Sequence, residues 1–195
     1  MPSAPCLPLR IVAKPPPPPM LGIVGFSGSG KTTLTVGLID ALGRRGLRVA
    51  SIKHDVHGFE MDQPGKDTWR HKQAGAVATL ISSPRGIGLV RDADHDHTPE
   101  ELLPLLGPAD IVLVEGYKRA PLPKIEVFRP ELGKPPACRG DRHLLAVVSD
   151  ADLDWGVPRF APDALERLAD FVLACLGLVD RCEVTPGQPA GGSPL

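Results

Sequence analysis

The segment Gly25-Phe26-Ser27-Gly28-Ser29-Gly30-Lys31-Thr32 satisfies GxxxxGK[ST], a pattern that joins a strand to a helix through a phosphate-holding turn. No other stretch constrains the fold as tightly. Glycine adopts backbone angles closed to other residues, so the amides from Gly28 to Thr33 can turn inward around phosphate oxygens as an anion nest. A helix starting at Lys31 directs the positive end of its dipole at the same anion. Lys31 is expected to reach the β- and γ-phosphates and the Thr32 hydroxyl to ligate Mg²⁺. At this chain's own Gly, Lys and Ser/Thr frequencies, chance supplies the pattern roughly 0.007 times, so coincidence does not account for it. The residues expected to hold the phosphates of a purine nucleoside triphosphate are therefore Gly25, Ser27, Gly28, Ser29, Gly30, Lys31, Thr32 and Thr33.

The surrounding pattern agrees with that turn. Leu21 to Val24 reads as a buried strand, and Leu34, Leu38, Ile39 and Leu42 fall on one face of a helix that Gly46 ends. Leu47 to Ile52 follows as a strand, Thr68 to Ala74 as a short helix closed by Gly75, and Val77 to Ile81 and Ile87 to Val90 as strands. Further strands are read at Ile111 to Val114, at Ile125 to Phe128 as a sheet edge, and at Leu144 to Val148. Pro162 opens a final helix with Leu165, Leu168, Val172 and Leu176 on its core face. Alternation of short apolar runs with helix-period segments predicts an α/β domain: a mainly parallel central sheet flanked by helices, the P-loop NTPase fold. Its 195 residues suit one such domain. The domain is expected over 21–184, with a flexible proline-rich leader at 1–20 and a flexible tail at 185–195, because these ends concentrate Pro and Gly where apolar side chains are few.

A second element should follow, an apolar strand ending in a carboxylate near the Mg²⁺, and Asp110-Ile111-Val112-Leu113-Val114-Glu115-Gly116 supplies it. Glu115 is the candidate, and with Lys31 it carries the catalytic assignment. The charged stretch Lys53 to Asp67 lies between the two elements and has the character of a switch loop ordered by γ-phosphate and Mg²⁺. Within it Asp62 is the candidate outer metal ligand, with Asp67 close behind; Asp67 reads equally well as the cap of the next helix. The Asn-Lys-x-Asp signature that reads guanine is missing. Asp150, after the strand Leu144 to Val148, could instead accept from the guanine N1 and N2 donors, a pair adenine lacks.

A formal net charge of −1 gives no broad positive field, which argues against a nucleic-acid partner or an anionic membrane. The apolar run Phe171 to Val179 is about half of the roughly 18 residues a membrane span requires, so a cytoplasmic protein is expected. Cys6, Cys138, Cys175 and Cys182 lack zinc-site spacing and read as free thiols. Asp94-His95-Asp96-His97 reads as a solvated polar loop, with metal capture as the alternative.

From Leu21 to about Val172 the chain resembles the molybdopterin-guanine dinucleotide biosynthesis adaptor protein B family. The resemblance rests on FSGSGKTTL at the phosphate loop, Ile52-Lys53-His54, the stretch Met61-Asp62-Gln63-Pro64-Gly65-Lys66-Asp67, Val114-Glu115-Gly116-Tyr117-Lys118, and Pro123-Lys124-Ile125-Glu126. It implies a P-loop GTPase related to dethiobiotin synthetase and the nickel-insertion GTPases. Such a protein would be a dimer that binds GTP with Mg²⁺ and hydrolyses it weakly. It would assist the molybdenum cofactor guanylyltransferase, protein A, which attaches GMP to molybdopterin. By resemblance Lys31 and Thr32 take the phosphate-loop roles, and Glu115 and Asp62 the metal roles.

Two other readings stand beside this one. A small-molecule kinase or ATP-dependent ligase of dethiobiotin synthetase type would need an anion site beside the γ-phosphate, for which Lys53, His54, Lys118 and Arg119 are available. They could equally hold the phosphate of molybdopterin. A metal-delivery GTPase would use His95 and His97. For pairing between two copies, the apolar and proline-rich Ala120 to Val127 stretch is the expected edge.

Overall fold

Met20–Val24 (β1) runs into the glycine turn and Lys31–Arg44 (α1) leaves it, so the motif sits between the elements it requires. The computed structural model describes residues 16–179. The tail expected over 185–195, most of the leader expected over 1–20, Cys6 and Cys182 lie outside the described residues. After α1 the chain forms Val49–Lys53 (β2), Asp67–Gln73 (α2), Ala78–Ser83 (β3), Gly86–Arg91 (β4) and Pro99–Leu102 (α3). Ile111–Glu115 (β5), Lys124–Val127 (β6), Leu144–Val148 (β7), Arg159–Phe160 (β8) and Leu165–Cys175 (α4) complete it. Sequence periodicity did not foreshadow α3 or β8, each too short to show a repeat; the Thr98–Glu101 capping box that starts α3 was the available signal.

The main sheet has the order β2-β5-β1-β6-β7-β8, and every neighbouring pair is parallel. A strand buried on both faces must be apolar at consecutive positions, and β5 is: Ile111 and Leu113 pack with Leu38, Leu42 and Val172 on one face, Val112 and Val114 with Ile52 and Leu122 on the other. The first face is covered by α1 and α4 through Leu34, Leu38, Leu168 and Val172, all buried. These helices approach closely, since a Cβ on Gly37 would stand 2.7 Å from Leu165 Cδ1. Among the described residues no helix is long and apolar enough to cross a membrane.

Two expectations are corrected. The strand at Ile125 to Phe128 is no edge: β6 lies between β1 and β7, and all four of its residues are buried. Its charges mimic an exposed strand but are satisfied internally. Lys124 Nζ donates to the carbonyls of Lys118 (3.0 Å) and Ala120 (2.9 Å) and to Asp141 Oδ2 (2.8 Å). The Glu126 carboxylate accepts from the amides of Ala137 (2.6 Å) and Cys138 (2.8 Å). The stretch Ala120 to Val127 therefore offers no free edge to a second copy. The strands read at Val77 to Ile81 and Ile87 to Val90 stand apart from the parallel sheet as an antiparallel hairpin, β3 with β4. Pro84 and Arg85 form a connection short enough for a hairpin but not for a parallel crossover.

Candidate functional site

Strand register assembles the site. Lys53 at the end of β2 is level with Glu115 at the end of β5, and Glu115 with Ile23 in β1. Beyond the ladder, the amide of Gly116 donates to Ile23 O (3.0 Å) and that of His54 to Glu115 O (2.9 Å). The carboxyl ends of three neighbouring strands thus bring the phosphate loop, Glu115 and Lys53–His54 to one rim, where parallel sheets bind ligands. A cleft of about 1020 Å³ opens there.

Gly25 carries φ +145°, and a Cβ there would stand 2.4 Å from Val127 O and 2.7 Å from Ser29 Oγ, so no other residue fits the start of the loop. Gly30, at φ 98°, precedes α1 without a side-chain cap, which leaves the helix end to a ligand. One amide expected to face that ligand does not: Ser29 N–H donates to Phe26 O at 3.2 Å, inside the loop's own turn. Ser29 Oγ is buried without a hydrogen-bond partner. Arg129, just after β6, donates from Nε to Ser29 O at 2.9 Å and ties the loop to the sheet. The sequence gives Arg129 no pattern that would single it out.

Lys31 Nζ donates to Phe26 O at 2.9 Å. Burial pushes the Lys31 ammonium below the ordinary lysine range, Glu115 pulls it back up, and Lys118 and Lys53 press it down again. An arriving polyphosphate would relieve that crowding of positive charge. Lys118 itself rests 3.8 Å over the centre of the Phe26 ring, a cation–π contact that holds its charge beside the loop. Lys53, His54, Lys118 and Arg119, considered together from the sequence, all line the cleft. Tyr117 takes φ 44°, stacks on His54 at 4.2 Å, and donates from its hydroxyl to His97 O at 2.6 Å.

Thr32 Oγ1 donates to Glu115 Oε1 at 2.9 Å, and Glu115 is 8% exposed. Adjacent oxygens around an octahedral Mg²⁺, each about 2.0–2.1 Å from the ion, are about 2.9 Å apart. The hydroxyl and carboxylate therefore already have the spacing of neighbouring ligands, at the mouth of the anion nest. These residues fit the ion.

Asp62 and Asp150 are not brought to this point; neither lines the cleft. Asp62 Oδ1 accepts from the Gln63 amide (3.0 Å) and the Thr68 hydroxyl (3.0 Å) at the entry to α2, and its Oδ2 is buried without a partner. Asp67 is the first residue of α2, whose cap position is Lys66. Asp150 is exposed and follows β7 on the same rim, with β6 between its strand and the phosphate-loop strand.

The model of the family described as molybdopterin guanine dinucleotide synthesis protein B matches residues 20–150. The molybdopterin-guanine dinucleotide biosynthesis adapter protein of Escherichia coli is 38% identical over 160 residues, covering 80% of this chain and 91% of its own length. The adapter protein of the same name from Haemophilus influenzae is 36% identical over 158 residues, covering 79% and 87%. Among solved structures, a molybdopterin-guanine biosynthesis protein B superposes with a TM-score of 0.61 at 33% identity, covering 81% of this chain and 99% of that one. Bacillus subtilis MobB gives 0.64 at 28% identity, covering 81% and 98%.

Proposed function

The chain belongs to the molybdopterin guanine dinucleotide synthesis protein B family, and from that premise we propose a GTP-binding adapter of molybdopterin-guanine dinucleotide biosynthesis that works in the cytoplasm and hydrolyses GTP slowly. It assists the guanylyltransferase, protein A, in attaching GMP to molybdopterin. The observation that carries the nucleotide part of this reading is the 2.9 Å contact between Thr32 and Glu115 beside the phosphate loop. Bound there, Mg²⁺ supplies charge neutralisation for the β- and γ-phosphates. Thr32 and Glu115 hold the ion, Lys31 turns from Phe26 O to the phosphates, and the loop amides orient them.

Lys53, Lys118 and Arg119 supply positive charge for a second anion in the same cleft, suited to the phosphate of molybdopterin. Asp62 completes the outer metal shell when the 54–66 loop draws in, its unpartnered Oδ2 being the oxygen available for it. Asp150 reads the guanine edge. Family membership favours this adapter reading over a kinase or ligase of dethiobiotin synthetase type and over metal delivery. The active form is a homodimer, for which the β3–β4 hairpin is the suited surface: Leu80 and Leu89 pair across one face and Ile87 lies beside them, all exposed.

Reconstitution tests the proposal. Added to guanylyltransferase, molybdopterin, GTP and Mg²⁺, the full chain should raise the yield of the dinucleotide product. Glu115→Gln, which keeps the side chain's shape but removes its charge, should fold normally yet slow Mg²⁺-dependent GTP turnover about 10–100-fold, the effect of losing one charged contact of about 1.5–3 kcal/mol. A product yield indifferent to the chain would end the adapter reading, and unchanged turnover would remove Glu115 from the site.

A further inference from the structure

The segment between β4 and α3 builds a second set of metal donors outside the phosphate-loop site. Asp94, His95 and His97 each bring one ligand atom to within 4.8 Å of the others. Asp94 Oδ1 lies 2.7 Å from His95 Nδ1 and 3.7 Å from His97 Nε2. What distinguishes this group from an ordinary polar loop is the fate of the two outer ring nitrogens.

His95 Nε2 lies 3.3 Å from Glu101 Oε2. That oxygen is itself fixed by the helix cap, accepting from the Thr98 amide at 2.8 Å and the Thr98 hydroxyl at 3.1 Å. His97 Nδ1 lies 3.0 Å from the His95 carbonyl oxygen, which can only accept, so Nδ1 is the protonated nitrogen and Nε2 carries the lone pair. His95 Nδ1, 2.7 Å from Asp94 Oδ1, donates to that carboxylate, and an ion that takes the place of this proton leaves the far Nε2–H directed at Glu101. Metal-binding histidines use this arrangement: the far N–H goes to a carboxylate or a backbone carbonyl, which fixes tautomer and ring orientation.

We infer that Asp94, His95 and His97 form a site for a divalent transition ion of the Zn²⁺, Ni²⁺ and Co²⁺ class, with Glu101 and the His95 carbonyl orienting the two imidazoles. Two nitrogens and one oxygen suit such ions better than Mg²⁺, which takes oxygen ligands. Three protein donors leave the remaining coordination to water on the exposed side. The stacked rings, 4.0 Å apart at 22°, must splay to point both nitrogens at one ion, and the Arg91 guanidinium, 3.5 Å from His97 Nε2, must swing aside. Arg91 is exposed and free to do so.

The site is joined to the nucleotide cleft through short contacts. Asp96, between the two histidines, is 2.9 Å from His54 Nε2, and the His97 carbonyl accepts from Tyr117. Both His54 and Tyr117 line the cleft. The inference does not rest on the adapter reading, because it concerns residues outside the phosphate loop and its test needs no nucleotide.

The test is a titration of the untagged full chain, stripped of metal and kept in millimolar-range Mg²⁺, with Co²⁺. A visible ligand-field band should grow to one equivalent per chain. His95→Ala and His97→Ala should each weaken binding by at least 10-fold, and Glu101→Gln, whose amide oxygen can still close the α3 cap while the orienting charge is lost, about 10–100-fold. His57→Ala and His143→Ala should leave the titration unchanged. Circular dichroism of each variant separates lost ligands from lost structure. A chain that gives no band, or one whose double variant His95→Ala/His97→Ala titrates like the parent, overturns the site.

Discussion

Lys31→Ala lowers GTP affinity on the order of 100-fold or more while the chain stays folded. A hydrogen-bonded charge on phosphate is worth about 3 kcal/mol, which converts to that factor. The loss is selective because the one hydrogen bond its ammonium makes among the described residues goes to the Phe26 carbonyl within its own loop, and the helix it begins is secured by Leu34, Leu38 and Leu42 in the core. Neighbouring Lys118 and Lys53 do not replace it, since Lys118 is engaged over Phe26 and Lys53 sits at the end of another strand. Calorimetry with GTP and Mg²⁺, alongside thermal melts, checks both halves. Affinity within a few-fold of the parent would remove Lys31 from the phosphate site.

Lys124→Ala has the largest expected effect on stability. The lysine is 1% exposed and satisfies three acceptors at once, two of them carbonyls of the segment that carries Lys118 and Arg119 into the cleft. Removing one partner of a buried ion pair costs about 3–5 kcal/mol; with Asp141 still 27% exposed and open to water, the lower end applies. The hydrogen bond from Lys124 also holds the Asp141 carboxyl below its ordinary range. A depressed carboxyl contributes stability that is present above its unfolded pKa of about 3.9 and lost as pH falls toward the folded value. The parent should therefore lose more stability than the variant on acidification below about pH 4, and urea melts at neutral and acid pH measure that difference. Parallel losses in the two proteins would show that the pair does not act as described.

Much of this could be read without coordinates where one interaction dominates locally. The phosphate loop, α1 and β5 were legible because sterics at glycine and burial on both faces leave few alternatives. The meeting of Thr32 with Glu115 needed only the rule that parallel strands present their carboxyl ends together. Lys124 and Glu126 misled because a charge in a strand signals exposure, and only their partners, drawn from 118–120 and 137–141, show otherwise. The hairpin was legible as two strands but not as a separate sheet, since pairing partners are not encoded in periodicity. Arg129 reaches Ser29 across 100 positions of sequence, a relation no spacing rule contains. For Asp94 to His97 the residue types were visible, while the orienting roles of Glu101 and the His95 carbonyl depend on loop geometry.

Titrating the full chain in separate calorimetric runs with GTP and with ATP, both in Mg²⁺, tests the central claim most directly. Saturable binding of one GTP per chain, tighter than ATP and weakened when Mg²⁺ is chelated, is the predicted result. An absence of binding heat with either nucleotide, or a preference for ATP, would contradict it.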